Sequence, residues 1–164
     1  MSYISTKTYG HDFGLSCAFR QYKAKSHCHF LHGYAISVKV EFEANLLDHR
    51  NWVVDFGGLK SFKEELKNLF DHKVIVAEDD PLIDWYRRGD ELGALELIVM
   101  PQVGCEYFAY HISCIARAWL HINKLTPRCT VKSVEVREHG ANSAIFNPPN
   151  PPNAKTQYED PDLD

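Results

Sequence analysis

Early in the chain, apolar residues recur at every second position. From His11 to Arg20, Phe13, Leu15, Cys17 and Phe19 share one side, and Asp12, Gly14, Ser16, Ala18 and Arg20 take the other. That period predicts a half-buried strand. A longer strand follows, with His32, Tyr34, Ile36, Val38, Val40 and Phe42 on one side and Lys39, Glu41 and Glu43 among those opposite. Its inward row therefore begins with His32 and Tyr34. The period then changes. Asp55 is placed to cap a helix start, and Leu59, Phe62, Leu66, Leu69 and Phe70 recur at helical spacing opposite Lys60, Lys63, Glu64 and Lys67, stopping near Asp71. A second helix is predicted from Cys105 to Ile122, where Phe108, Ile112, Ile115, Trp119 and Ile122 step by four and three. The long connection 74–103 is expected to hold a short helix near Leu82 to Arg88 and an extended run at 96–100. Alternation returns from Val131 to Glu138, and Ser143 to Phe146 can pair back after a turn at 140–142. The order strand, strand, helix, helix, strand, strand predicts an α+β fold, a four-stranded antiparallel sheet with two helices on one face.

Length and composition narrow the function classes. At 164 residues, one domain is expected over 1–146, followed by a proline-rich acidic tail, 147–164, extended or disordered. A formal net charge of -4 argues against nucleic acid as a partner, because such binders need a basic face. No stretch approaches the roughly 18 to 20 apolar residues of a membrane span, and no basic-then-apolar leader opens the chain, so a cytoplasmic protein without a membrane partner is expected. Five cysteines without framework spacing point to reduced thiols.

Candidate chemistry gathers at a few positions. In Ser26 to Tyr34, three histidines and a cysteine fall within nine residues, with Cys28 four before His32. A thiolate near neutral pH needs a neighbouring cation, metal or dipole, which histidines can supply; a surface thiol in a polar loop is the alternative. Glu138 shares its row with Val134 and Val136, so either it points a carboxylate inward to meet a polar ligand or the strand ends before it and it is solvated. Asp71 and His72 can form a proton-transfer pair or simply cap a helix. Arg20, Lys23, Lys25 and Lys73 can meet a phosphate or lie as surface bases.

Together these pieces resemble the 6-pyruvoyltetrahydropterin synthase and 6-carboxytetrahydropterin synthase family. The resemblance rests on Cys-x-x-x-His-Gly at 28–33, Val-Val-Asp-Phe with Leu-Lys at 53–60, Asp-His-Lys at 71–73, Glu106 opening a helix and Glu138 ending a late strand. It implies a tunnelling fold, with subunit sheets joined into a barrel in a homo-oligomer, usually a hexamer. It implies as substrate 7,8-dihydroneopterin triphosphate, a pterin triphosphate, and a lyase reaction. Of its two branches, the queuosine and 7-deazapurine route to 6-carboxy-5,6,7,8-tetrahydropterin is preferred over the 6-pyruvoyltetrahydropterin synthase activity. A non-catalytic module binding a pterin or purine is the alternative from another class. By the same resemblance, Cys28 is the catalytic base with Asp71 and His72 reaching over from a neighbouring subunit, and Glu138 with Glu106 and Cys105 binds the pterin. The family binds Zn2+ through three histidines, one at the end of the first strand and two in His-x-His. Here the latter reads His32-Gly33-Tyr34, and ungapped counting puts Cys17 at the first position, so His32, Cys17 and Tyr34 are the expected metal ligands; a gapped alignment puts Phe19 there instead.

Overall fold

A computed structural model describes residues 1–149, with 147–149 outside regular structure; the rest of the expected tail lies outside the described residues. Chain order is β1 (Tyr3–Tyr9), β2 (Leu15–Phe19), β3 (His32–Ala44), α1 (Lys60–Phe70), β4 (Lys73–Ala77), α2 (Ile83–Glu91), β5 (Leu97–Met100), α3 (Cys105–Ile122), β6 (Cys129–His139) and β7 (Asn142–Phe146). The long β3 organises the sheet. Its first part pairs antiparallel with β2, Phe19 opposite His32 and Cys17 opposite Tyr34, and its second part pairs antiparallel with β1, Tyr9 opposite Val38. A 3-10 turn at His11–Phe13 separates β1 from β2, closed by Gly14 in the left-handed region at φ 83. With β6 against β3 and β7 against β6, both antiparallel, these strands give the four-row antiparallel sheet read from the sequence, with β1 and β2 sharing one row.

Two strands extend that sheet beyond the expectation. β4 adds to β2 and β5 to β4, both parallel. β5 is the extended run anticipated near 96–100, and α2 the short helix before it. The strand β1 and the 3-10 turn correct the reading of His11 to Arg20 as one continuous strand. Phe13 still packs against Tyr9, ring centroids 5.3 Å apart, so the turn keeps the apolar side inward without strand pairing.

The two faces of the sheet differ in chemistry. Ile36, Val38, Val40 and Phe42 of β3 and Val134 and Val136 of β6 are buried together with Phe62, Leu66 and Phe70 of α1 and Phe108, Ile112 and Trp119 of α3, in one core. The other side is laced by polar contacts: Lys39 with Glu41 at 3.1 Å, Ser133 donating to Glu41 at 2.9 Å, and Lys132 with Glu43 at 3.2 Å. Lys39, then Ser133, holds the Glu41 carboxyl below its ordinary range, outweighing burial.

One buried ion pair anchors the loop that will carry the site. Arg20, just past β2, forks onto Asp80, its Nε donating to Oδ2 at 2.9 Å and its Nη2 lying 2.6 Å from Oδ1. Their side chains are 14% and 1% exposed. Burial pushes the Asp80 carboxyl up, but Arg20 and the Leu82 N–H, donating to Oδ1 at 2.8 Å, outweigh it and hold the pKa below its ordinary value. The pair therefore stabilises the fold above the unfolded carboxyl value, and that contribution is lost as pH falls through the lower folded one. Removing one partner leaves the other charge buried, so Asp80→Ala should cost about 3 kcal/mol in urea unfolding, while Arg20→Met combined with Asp80→Leu should recover most of it. An Asp80→Ala variant as stable as the parent would show that the pair is solvated.

Candidate functional site

The site forms where the inward rows of three elements run past the end of the core. On β3 the row Ile36, Tyr34, His32 leaves the buried region; on β6 Glu138 follows Val134 and Val136; and α3 opens with Cys105 and Glu106. Burial first, then Glu138 and the Cys28 and Cys105 thiols, pushes the Tyr34 phenol above its ordinary value. Burial likewise pushes the Cys105 thiol up to about 12, with Glu138, Glu106 and Cys17 adding to it. These influences place Tyr34, Cys28, Cys105 and Glu138 in one neighbourhood, with Glu106 and Cys17 at its margin. β6 runs on to His139, so Glu138 lies within the strand, half-buried, at an irregularity in the pairing with β7 between Arg137 and His139.

Cys28 is held by backbone. It sits centrally in a 3-10 turn, His27–His29, where Ser26 Oγ accepts from the Cys28 N–H at 3.4 Å and the Gln21 N–H donates to the Cys28 carbonyl at 3.0 Å. Gln21 also donates through Nε2 to the Val103 carbonyl at 2.5 Å, joining this loop to the start of α3. A Cβ on Gly104 would lie 2.5 Å from that same nitrogen, and φ there is 113, so both space and backbone require glycine. Nothing in the sequence pattern singles out Gln21 for this role. His27 is exposed, and His29 turns its Nδ1 onto the Ser26 carbonyl at 2.6 Å.

Asp71 and His72 form the expected pair, Nδ1 to Oδ1 at 2.6 Å, but they face solvent: His72 is 86% exposed and Asp71 33%. His72 occupies the left-handed region at φ 58, uncommon for a residue with a side chain, and its N–H donates to the Ser16 carbonyl at 2.7 Å. The backbone thus holds the imidazole out from the chain. Of the four bases considered for phosphate, Arg20 is engaged by Asp80, Lys23 by Asp79 at 2.6 Å and Lys73 by Glu96, while Lys25 is exposed.

The residues expected to bind zinc do not fit the ion. Zinc sites use imidazole, thiolate or carboxylate donors, three or four converging. Cys17 is 3% exposed, between Leu15 and Phe19 in the core, and burial pushes its thiol up to about 12. The strand register puts Phe19, not Cys17, opposite His32. Phe19, His32 and Tyr34 form a triangle of rings with centroids 5.6, 6.1 and 5.4 Å apart. One corner is a hydrocarbon and one a phenol. Among the described residues, no three His, Cys, Asp or Glu side chains are grouped to hold a metal ion. His139, which no sequence pattern singles out, adds a fourth ring 6.0 Å from Tyr34.

All five cysteines are free thiols. Among the described residues, no helix is long and apolar enough to cross a membrane.

Known proteins fall into line with this architecture. A protein of Wolinella succinogenes is similar at TM-score 0.74 and 21% identity, over 90% of this chain and 98% of that one. The 6-pyruvoyl tetrahydropterin synthase of Plasmodium falciparum is similar at 0.65 and 18%, over 88% and 96%, and that of Caenorhabditis elegans at 0.57 and 12%, over 91% and 96%. At such identities the likeness is one of fold, the tunnelling fold. No curated protein matches the chain. Residues 9–149 match the family described as 6-pyruvoyl tetrahydropterin synthase, which takes in β2 through β7 and every candidate residue above. With the tunnelling fold and that match together, the chain belongs to the 6-pyruvoyl tetrahydropterin synthase family.

Proposed function

We propose that this chain binds a pterin ring at Glu138 and moves protons on the ring's side chain through Cys28, helped by Asp71 and His72 of a neighbouring subunit. The observation that carries the reading is the meeting of Glu138, Cys28, Tyr34 and Cys105 where the core rows end. A pterin edge presents an amino group and a ring N–H side by side, which a carboxylate can accept together. Within its class the reading is a 6-carboxy-5,6,7,8-tetrahydropterin synthase-like lyase acting on 7,8-dihydroneopterin triphosphate, with release of triphosphate and acetaldehyde; the pyruvoyl product is the alternative. A second reading, a module that holds a pterin or purine without turnover, is favoured by Phe19 and Tyr34 standing where the family places ligands. Mass spectrometry after incubation with 7,8-dihydroneopterin triphosphate decides between them. Release of triphosphate with a new tetrahydropterin supports the lyase, ligand bound without product supports the module, and neither overturns both.

The solvent-facing Asp71–His72 pair needs a partner copy to meet a substrate, and the sheet offers the means. Among the described residues, β1 pairs only with β3 and β7 only with β6, leaving a free edge at each. Tyr3, Ile4 and Ile145 are exposed on these edge strands. Open edges of this kind invite pairing, and closing them between subunits into a barrel removes them. A homo-oligomer, a hexamer in the family's usual form, is the expected state in light scattering; a monomer at micromolar concentration would refute it.

A further inference from the structure

We propose that the place this family gives to zinc is, in this chain, a metal-free aromatic wall made by Phe19, His32 and Tyr34, and that Tyr34 contacts a ligand oxygen there in the ion's stead. Phe19 and His32 face each other across β2 and β3, and Tyr34 follows His32 by two residues on the same side. All three pairwise ring separations lie between 5.4 and 6.1 Å. That is the company three converging imidazoles would keep, yet Phe19 has no lone pair to offer and, 1% exposed, also packs edge-on against Phe108 at 5.2 Å. The position is filled by core packing. No rotation of Phe19 supplies a donor.

His32 is fixed as well. Its Nδ1 lies 2.7 Å from the Phe30 carbonyl, which only accepts, so Nδ1 carries the proton and Nε2 keeps a lone pair. A single imidazole nitrogen is too few for tight zinc binding, but beside a phenol it makes a hydrogen-bonding pair. Tyr34, edge-on to His32 at 5.4 Å, can donate its O–H to a hydroxyl or carbonyl oxygen on a ligand whose ring is gripped by Glu138. This last step rests on the pterin reading above. The zinc step does not.

The tests separate the two. Zinc content of protein purified without chelator, and titration with zinc chloride, should show no binding in the wild type that His32→Ala removes. Phe19→His combined with Tyr34→His restores three imidazoles and should retain about one zinc per chain after dialysis. One zinc per chain in the wild type, lost in His32→Ala, overturns the proposal; so does a doubly substituted protein that melts cooperatively and takes up no zinc. For the ligand contact, Tyr34→Phe should lower the affinity for neopterin, which carries side-chain hydroxyls, by roughly 3–10-fold relative to its affinity for unsubstituted pterin. An unchanged ratio removes Tyr34 from the contact. If neither compound binds the wild type, the pterin reading fails while the zinc result stands on its own.

Discussion

Glu138→Gln should weaken pterin binding by about 2–5 kcal/mol, roughly 30- to several-thousand-fold, while leaving the fold intact. The size follows from what the substitution does at one edge. A carboxylate offers two acceptor oxygens and a full charge to two ligand donors, whereas an amide offers one acceptor and turns an N–H₂ toward the second donor. One favourable contact is lost and one repulsive contact is created, in a neighbourhood closed on one side by buried Cys105 and on another by Tyr34. The strand itself should tolerate the change. Val134 and Val136, which bind β6 to the core, are untouched, and Glu138 is only half-buried. Fluorescence titration with a pterin, beside a thermal melt, checks both halves; equal affinity in the variant would remove Glu138 from the site.

Which parts of this were legible in the sequence has physical reasons. The helix Cys105–Ile122 was read to its ends because eighteen residues give five turns of one apolar stripe, and Phe108, Ile112 and Trp119 on it are buried as expected. Ile122, at the last position of the same stripe, is exposed because the helix has run past the core. The strand Lys73–Ala77 is hidden in the sequence for the opposite reason. It is a short apolar run pressed between β2 and β5, so it does not alternate. Strand β1 alternates weakly, since its inner row carries Ser5 and Lys7 before Tyr9, and its outer row opens on the exposed, apolar Ile4.

The site divides in the same way. Glu138 was legible because a carboxylate closing a row of valines is a conflict visible in one strand. The aromatic wall was not, because whether Cys17 or Phe19 faces His32 depends on the pairing of β2 with β3, and counting along one chain cannot fix a register between two strands. Asp71 and His72 were legible as a pair, but their outward direction comes from the left-handed backbone at His72 and its bond to Ser16.

Cys28→Ala should reduce turnover by about 10²- to 10⁴-fold, the usual contribution of one general base, with pterin affinity nearly unchanged. The loop does not need the thiol: its turn is closed by Ser26 Oγ on the Cys28 N–H and by the Gln21 N–H on the Cys28 carbonyl, both contacts of the backbone. Only the Sγ beside Tyr34 is removed. Cys28→Ser should fall nearly as far, since a hydroxyl gives up its proton far less readily than a thiol. His72→Gln should lower turnover as well, and here the geometry makes a further demand. His72 is tied to Ser16 near the start of β2, whereas Cys28 is tied beyond Phe19 at its other end, about 10 Å further along the strand. With the imidazole turned outward, it is expected to serve a neighbour's Cys28 rather than its own. Two inactive proteins should therefore restore each other: co-expressed Cys28→Ala and His72→Gln chains should assemble some sites with both groups intact, about a quarter of the total if subunits mix at random. Turnover near a quarter of wild type places the two groups on different subunits. A mixture as inactive as its components, in oligomers shown by mass to contain both chains, would place them on one.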